Sequence, residues 1–131
     1  MSLLKEKAWD LVSLWVRKSN ADENGMVKCI TCPTVKHFKE MQAGHFIAGR
    51  GNSILFDTRG IAPQCYGCNC MHGGRPLVFL EYLENKLGKL QAIELKDELL
   101  RQSRIPYKFS REELSEKIET YKLKLESLET K

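Results

Sequence analysis

Two short runs decide the reading of this chain: KCITC at residues 28–32 and QCYGCN at residues 64–69. Each sets two cysteines three positions apart, Cys29 with Cys32 and Cys65 with Cys68. A two-residue gap lets both sulfurs turn toward one ion, and two such pairs supply the four thiolates of a tetrahedral zinc site. A redox pair would account for one CxxC and leave the other unexplained. A shell of four cysteines is closed, so a zinc held there is structural and offers no open position for chemistry. The chain has five cysteines and its first residues do not read as a signal peptide, which argues against a disulfide framework. Cys70, the odd one, reads as an ordinary thiol. The segment around the cysteines is too small for a large core of its own, so metal binding should stabilise it substantially.

Residues 33–64 lie between the knuckles, more than the roughly 15–20 of an ordinary zinc ribbon. There is room for an inserted β-hairpin. Met41–Ile47 and Ser53–Asp57 read as its strands, separated by the loop GRGN at residues 49–52. The net charge is +4, and the whole excess falls in this part of the chain. Residues 28–75 hold Lys28, Lys36, Lys39, Arg50, Arg59 and Arg75 against only Glu40 and Asp57, while the flanks on either side are balanced. A basic centre between neutral flanks suits a polyanion such as nucleic acid. Arg50, Arg59 and Arg75 are the candidate phosphate contacts. His37, next to Phe38, reads as a surface or strand residue.

Outward from this centre the pattern is helical. Residues 2–19 read as an amphipathic helix with Leu4, Ala8, Leu11, Leu14 and Trp15 on its apolar face, Trp9 and Trp15 being core residues. The turn-forming run NADENG at residues 20–25 ends it. Pro76 suits the first turn of a new helix, in which Leu77, Leu80, Leu83 and Leu87 recur up to Gly88. Leu90, Ile93, Leu95 and Leu99 mark a second helical segment. Ser110 and Glu113 then form a capping box. Leu114, Ile118, Tyr121, Leu125 and Leu128 follow it in a short heptad seam, which either packs on its own chain or makes a homodimer through swapped helices. The expectation is a single α+β domain over residues 1–131: an N-terminal helix and turn (1–26), a zinc-knuckled core (27–75) and C-terminal helices (76–131). No apolar run approaches the ~20 residues of a membrane span, so a soluble, cytoplasmic protein is expected.

A CxxC pair, a hairpin whose first strand ends in His45, and a second CxxC running into Asn69 and a helix together resemble the HNH, or ββα-metal, nuclease motif. More narrowly, residues 22–32 (DENGMVKCITC), 39–47 (KEMQAGHFI) and 63–69 (PQCYGCN) resemble the phage NinG (Rap) recombination endonucleases. The likeness covers roughly residues 15–75, and the layout is also similar to phage endonuclease VII, a Holliday-junction resolvase. The resemblance implies a zinc-knuckled ββα-metal centre that hydrolyses phosphodiester bonds in DNA, branched or recombination-intermediate DNA above all. It implies His45 as general base and Asn69 as an oxygen ligand of a catalytic Mg²⁺ or Mn²⁺, with 5′-phosphate and 3′-hydroxyl products. The chemistry agrees: an imidazole is well matched to activating water near neutral pH, and hard divalent ions prefer oxygen donors. Two positions depart from the motif. Gly44 stands where an Asp or His ligand is common, and Gly60 stands near a customary bracing Asn. With Gly44 the ion needs another ligand, for which Asp57 and His72 are the candidates; His72 would share one helix face with Asn69. Two rival readings are a non-catalytic zinc module that binds DNA and a helical interaction protein anchored by zinc.

Overall fold

In the computed structural model, which describes residues 2–48 and 51–129, the chain is an α+β fold whose helices flank two small sheets. Helix α1 (Leu3–Ser19) starts where Ser2 takes an extended backbone and its hydroxyl accepts the Lys5 amide at 3.2 Å. Ala8, Val12 and Val16, every fourth residue, are the positions it buries. The pattern of larger residues points to Leu4, Leu11, Leu14 and Trp15 instead, and these are only partly covered. The small side chains let a partner helix approach closely, and the large ones close the sides of the contact.

That partner is α5 (Arg111–Glu129). Its expected capping box is present: Ser110 Oγ accepts the Glu113 amide and the Glu113 carboxylate accepts the Ser110 amide, both at 3.1 Å. Leu114, Ile118 and Tyr121 are buried in one cluster with Ala8, Val12 and Val16, and Trp15 meets the Tyr121 ring edge-on at 5.7 Å. The heptad seam is thus packed on α1 of the same chain.

After α1 come two antiparallel hairpins. β1 (Met26–Lys28) pairs with β2 (Val35–His37), and residues 29–34 form the connecting knuckle, closed by the Cys29 amide donating to the Thr34 carbonyl at 2.9 Å. β3 (Gln42–His45) pairs with β4 (Ile61–Gln64), Ala43 opposite Pro63 and His45 opposite Ile61. Here the expectation fails in one part: residues 53–57 are not the second strand. Asn52–Leu55 is a single helical turn, α2, and β3 takes Ile61–Gln64 as its partner. A short apolar run such as SILF satisfies either a strand or one buried helical turn. Here the turn buries Ile54 and Leu55, and Ser53 Oγ donates to the Gln102 carbonyl. Pro63 argues against a strand when read alone. Its carbonyl accepts from the Ile30 amide at 3.0 Å, so its nitrogen also faces away from β3, where no donor is required.

The β3–β4 ribbon is buried on both faces. Ala43 and Ile61 join the α1–α5 cluster, while Phe46 and Ala62 join a second cluster under α3 (Pro76–Leu87) and α4 (Lys89–Ser103). Gly88, at φ +92°, turns the chain between those two helices, a conformation that favours glycine. Phe79, Leu83, Ala92, Leu95 and Leu99 form their buried face, whereas Leu77 and Leu90 are 79% and 70% exposed. Each expected stripe is therefore rotated toward its aromatic or small member. Gly60 sits under this layer, where a Cβ would stand 2.7 Å from Leu99 Cδ1. Leu99 is fully buried and has little room to retreat. Gly60→Ala should overpack the site by about 1–3 kcal/mol, lowering the melting temperature by roughly 3–10 °C in thermal unfolding of the metal-loaded chain.

Candidate metal centre and groove

The knuckle at residues 29–34 and the turn after β4 bring Cys29, Cys32, Cys65 and Cys68 together, their sulfurs all within 4.8 Å of one another. Four sulfurs at the usual zinc–sulfur distance lie about 3.8 Å apart; Cys32 Sγ and Cys65 Sγ are at 3.6 Å. The cluster therefore fits a tetrahedral zinc ion. Burial opposes ionisation of Cys29, yet hydrogen bonds from Thr31 and from backbone amides outweigh it and lower its pKa. The Thr34 hydroxyl, 3.2 Å from Cys32 Sγ, helps draw Cys32 down to about 6, while burial pushes Cys65 up to about 11. Two thiols so favoured beside one so opposed need a cation before all four become thiolates.

Arg75, a candidate phosphate contact by sequence, is engaged with this cluster. Its Nε donates to Cys68 Sγ at 3.1 Å, from a left-handed backbone at φ +46° that non-glycine residues seldom adopt. Arg59 is held too: it pairs with Asp57 at 2.7 Å and with Glu98 at 3.0 Å. Arg50 lies outside the described residues.

On the α1 side of the β3–β4 ribbon lies a groove of about 500 Å³ whose lining includes Trp9, Ser13, Arg17, Gln42, His45 and Asn69. His45 closes β3, and its ring stacks on Trp9 with centroids 5.1 Å apart. His45 Nε2 is 3.0 Å from the Leu55 carbonyl. A carbonyl can only accept, so Nε2 carries the hydrogen, and in the neutral ring Nδ1 is the basic nitrogen. Asn69 stands on the single π-helical turn Gly67–Met71, which includes Cys68 of the second knuckle. Its Nδ2 donates to Gln42 Oε1 at 2.7 Å, which identifies Oδ1 as the atom left to serve as a ligand.

The two glycine departures have packing causes. A Cβ on Gly44 would stand 1.8 Å from Gln64 Oε1 and 3.0 Å from Asn69 Oδ1. The space an Asp or His would occupy is filled by Gln64, and Gly60 is required by Leu99 as described above. Asp57 and His72 do not join His45 and Asn69. The Asp57 carboxylate caps the turn Thr58–Gly60, accepts from the Arg59 backbone and side chain, and borders a different cavity together with Phe56 and Lys117. The helical turn ends at Met71, so His72 follows as an exposed cap residue rather than sharing a helix face with Asn69. His37 ends β2 with its Nδ1 accepting the Lys39 amide at 3.2 Å.

Sequence reasoning missed Arg17 and Gln64. Arg17 carries a signal that was there to be read: Trp9, Ser13 and Arg17 are four residues apart, a second stripe beside Ala8, Val12 and Val16. Its Nη1 donates to the Phe38 carbonyl at 2.9 Å, and burial lowers its pKa. Gln64 carries no such signal, because its role depends on contacts between distant segments.

The purified chain should hold one zinc by elemental analysis. Cys65→Ser should lose it and unfold well below the wild-type temperature. Hydrogen bonding from Arg59, then its charge, keeps the Asp57 carboxyl below the usual carboxylate range. Stability from a depressed carboxylate is present above the unfolded pKa and is lost as pH falls through the folded value. Asp57→Asn should therefore cost about 0.5–1 kcal/mol at neutral pH, a modest figure because the pair is partly solvated. Denaturant titrations should show that difference shrinking as the pH falls below the ordinary Asp value of about 3.9 and through the depressed pKa of Asp57.

No curated protein and no solved structure matches the chain. A family model described as the bacteriophage lambda NinG protein matches residues 2–131, nearly the whole of it. Matched over that length, with the cysteine cluster assembled from both halves of its central segment, the chain belongs to the NinG family.

Proposed function

We propose that the chain is a zinc-stabilised, divalent-metal-dependent DNA endonuclease with His45 as general base. The observation that carries the reading is that His45, from the segment between the two knuckles, and Asn69, directly after Cys68, line one groove. Phosphodiester hydrolysis needs a base for water and positive charge beside the phosphate. His45, pinned through Nε2 to the Leu55 carbonyl and stacked on Trp9, takes a proton from the attacking water at Nδ1. That water oxygen bonds to phosphorus as the bond to the 3′ oxygen breaks, and the departing oxygen takes a proton from solvent, which leaves 5′-phosphate and 3′-hydroxyl ends. Arg17 brings fixed positive charge to the groove wall. Asn69 Oδ1 is a hard donor suited to Mg²⁺ or Mn²⁺, which when bound supplies charge stabilisation to the phosphoryl oxygens.

Substrate recognition is through backbone and shape, with branched or recombination-intermediate DNA the preferred form and the cytoplasm the place of action. Gly44 and Gly60, the two departures from the motif, are positions where Gln64 and Leu99 approach closely, so neither by itself favours the non-catalytic zinc module.

The test is cleavage of supercoiled plasmid and of a synthetic four-way junction by the zinc-loaded chain, with added Mg²⁺, Mn²⁺ or neither. Wild type should cut only with a divalent ion, and His45→Ala should cut about 10²–10⁴-fold more slowly while keeping its zinc and staying folded at the assay temperature. Wild type that binds DNA but cuts neither substrate with either ion would overturn the reading.

A further inference from the structure

Gln64 is fully buried, and it is the residue whose side-chain oxygen is left without a partner among the buried side chains described. An orphaned buried acceptor has given up its hydrogen bonds to water with no return, so a side chain held in that state needs a reason. Its orientation is not in question. Nε2 donates to the Gly74 carbonyl at 2.8 Å and to Thr31 Oγ1 at 3.1 Å. Turning the amide over would set two carbonyl oxygens against each other, so Gly74 fixes Oε1 as the end turned toward Gly44. The free end, Oε1, stands over Gly44, and Asn69 Oδ1 comes to the same place from the other side. Asn69 is fixed in its turn by donating to Gln42. Two amide oxygens with their nitrogens tied elsewhere thus come together beside Gly44, where the missing side chain admits them.

We propose that Gln64 Oε1 and Asn69 Oδ1 together bind a hard divalent cation, Gln64 supplying the ligand that Gly44 cannot. The inference rests on the reading of the groove as a divalent-ion site and assigns that site its inner ligand. Carboxamide oxygens are ordinary donors to such ions. Two neutral donors make a weak site by themselves, one that a DNA phosphate would complete, so affinity without DNA is modest. Thr31 belongs to the first knuckle and Gly74 follows the second. The cysteine cluster thereby aims the Gln64 oxygen without touching it.

The probe is Tb³⁺ titrated into the zinc-loaded full chain, with emission excited through tryptophan, since Trp9 lines the same groove; Mn²⁺ is then added as competitor. Wild type should bind one groove Tb³⁺ that Mn²⁺ displaces, and Trp9→Phe should remove most of the sensitised emission. Gln64→Leu and Gln64→Glu both lose the donor to Gly74, but only the second keeps an oxygen. Gln64→Leu should weaken binding tenfold or more, and Gln64→Glu should bind at least as tightly as wild type at equal zinc content. The double variant Gly44→Asp, Gln64→Ala, which clears the clash and moves the oxygen to the neighbouring strand, should restore binding lost in Gln64→Ala. Wild-type affinity in Gln64→Leu, or equal weakening in Gln64→Leu and Gln64→Glu, makes Gln64 a brace only and overturns the proposal. Absence of a groove ion in wild type overturns it as well. The nuclease reading turns separately on plasmid cutting by wild type and His45→Ala.

Discussion

Four cysteine sulfurs must meet although residues 33–64 intervene, and the rest of the centre is arranged by that closure. Bringing the ends of so long a loop together costs roughly 3 kcal/mol in the length-dependent part of the closure entropy. Sulfur–metal bonds are strong enough to offset such a cost, whereas the small apolar cluster around Val27, Met41 and the cysteines is a modest contributor. Once the loop is closed, the Pro63 carbonyl meets the Ile30 amide, and β4 is presented to β3 with its proline turned outward. The second sheet is in this sense a consequence of the knuckles.

The ribbon so formed is too short to be stable alone. It is buried because helices cover both of its faces, α1 with α5 on one side and α3 with α4 on the other. This layering also makes the groove. β3 ends in His45 at the edge of the α1 layer, α1 contributes Trp9 and Arg17, and the turn after Cys68 contributes Asn69. A site of this kind is held by rigid elements and by the knuckles behind them, which suits chemistry that depends on position. Close approach is obtained by removing side chains: Gly44 admits Gln64, and Gly60 admits Leu99.

Charge is less freely available than the composition implies. The central excess of basic residues is real, but Arg75 is engaged with Cys68 and Arg59 with Asp57 and Glu98. The groove itself draws its described guanidinium, Arg17, from the electrically balanced N-terminal segment. A run of like charges along a sequence therefore locates a basic region without naming its free members.

The sequence by itself determined the features that are local or of fixed chemistry. Paired cysteines at CxxC spacing identified the cluster that could hold a metal, Ser110 with Glu113 marked the start of α5, the period of apolar residues marked the long helices, and His45 fell within the first expected strand. Only the tertiary structure decided which alternative each ambiguous segment takes. SILF became a helical turn because α4 offered it a partner, and IAPQ became a strand because the Ile30 amide donates to the outward-facing carbonyl of Pro63. The valines of α1, rather than its larger residues, became the buried stripe because α5 lies close against them. The role of Gln64 was settled the same way, since Thr31, Gly74, Gly44 and Asn69 are distant or unremarkable along the chain and become neighbours only on folding. Local propensity and ligand chemistry act over a few residues and can be read directly. Burial, close approach and the partner of a buried amide depend on which segments meet, and that depends on the whole chain at once.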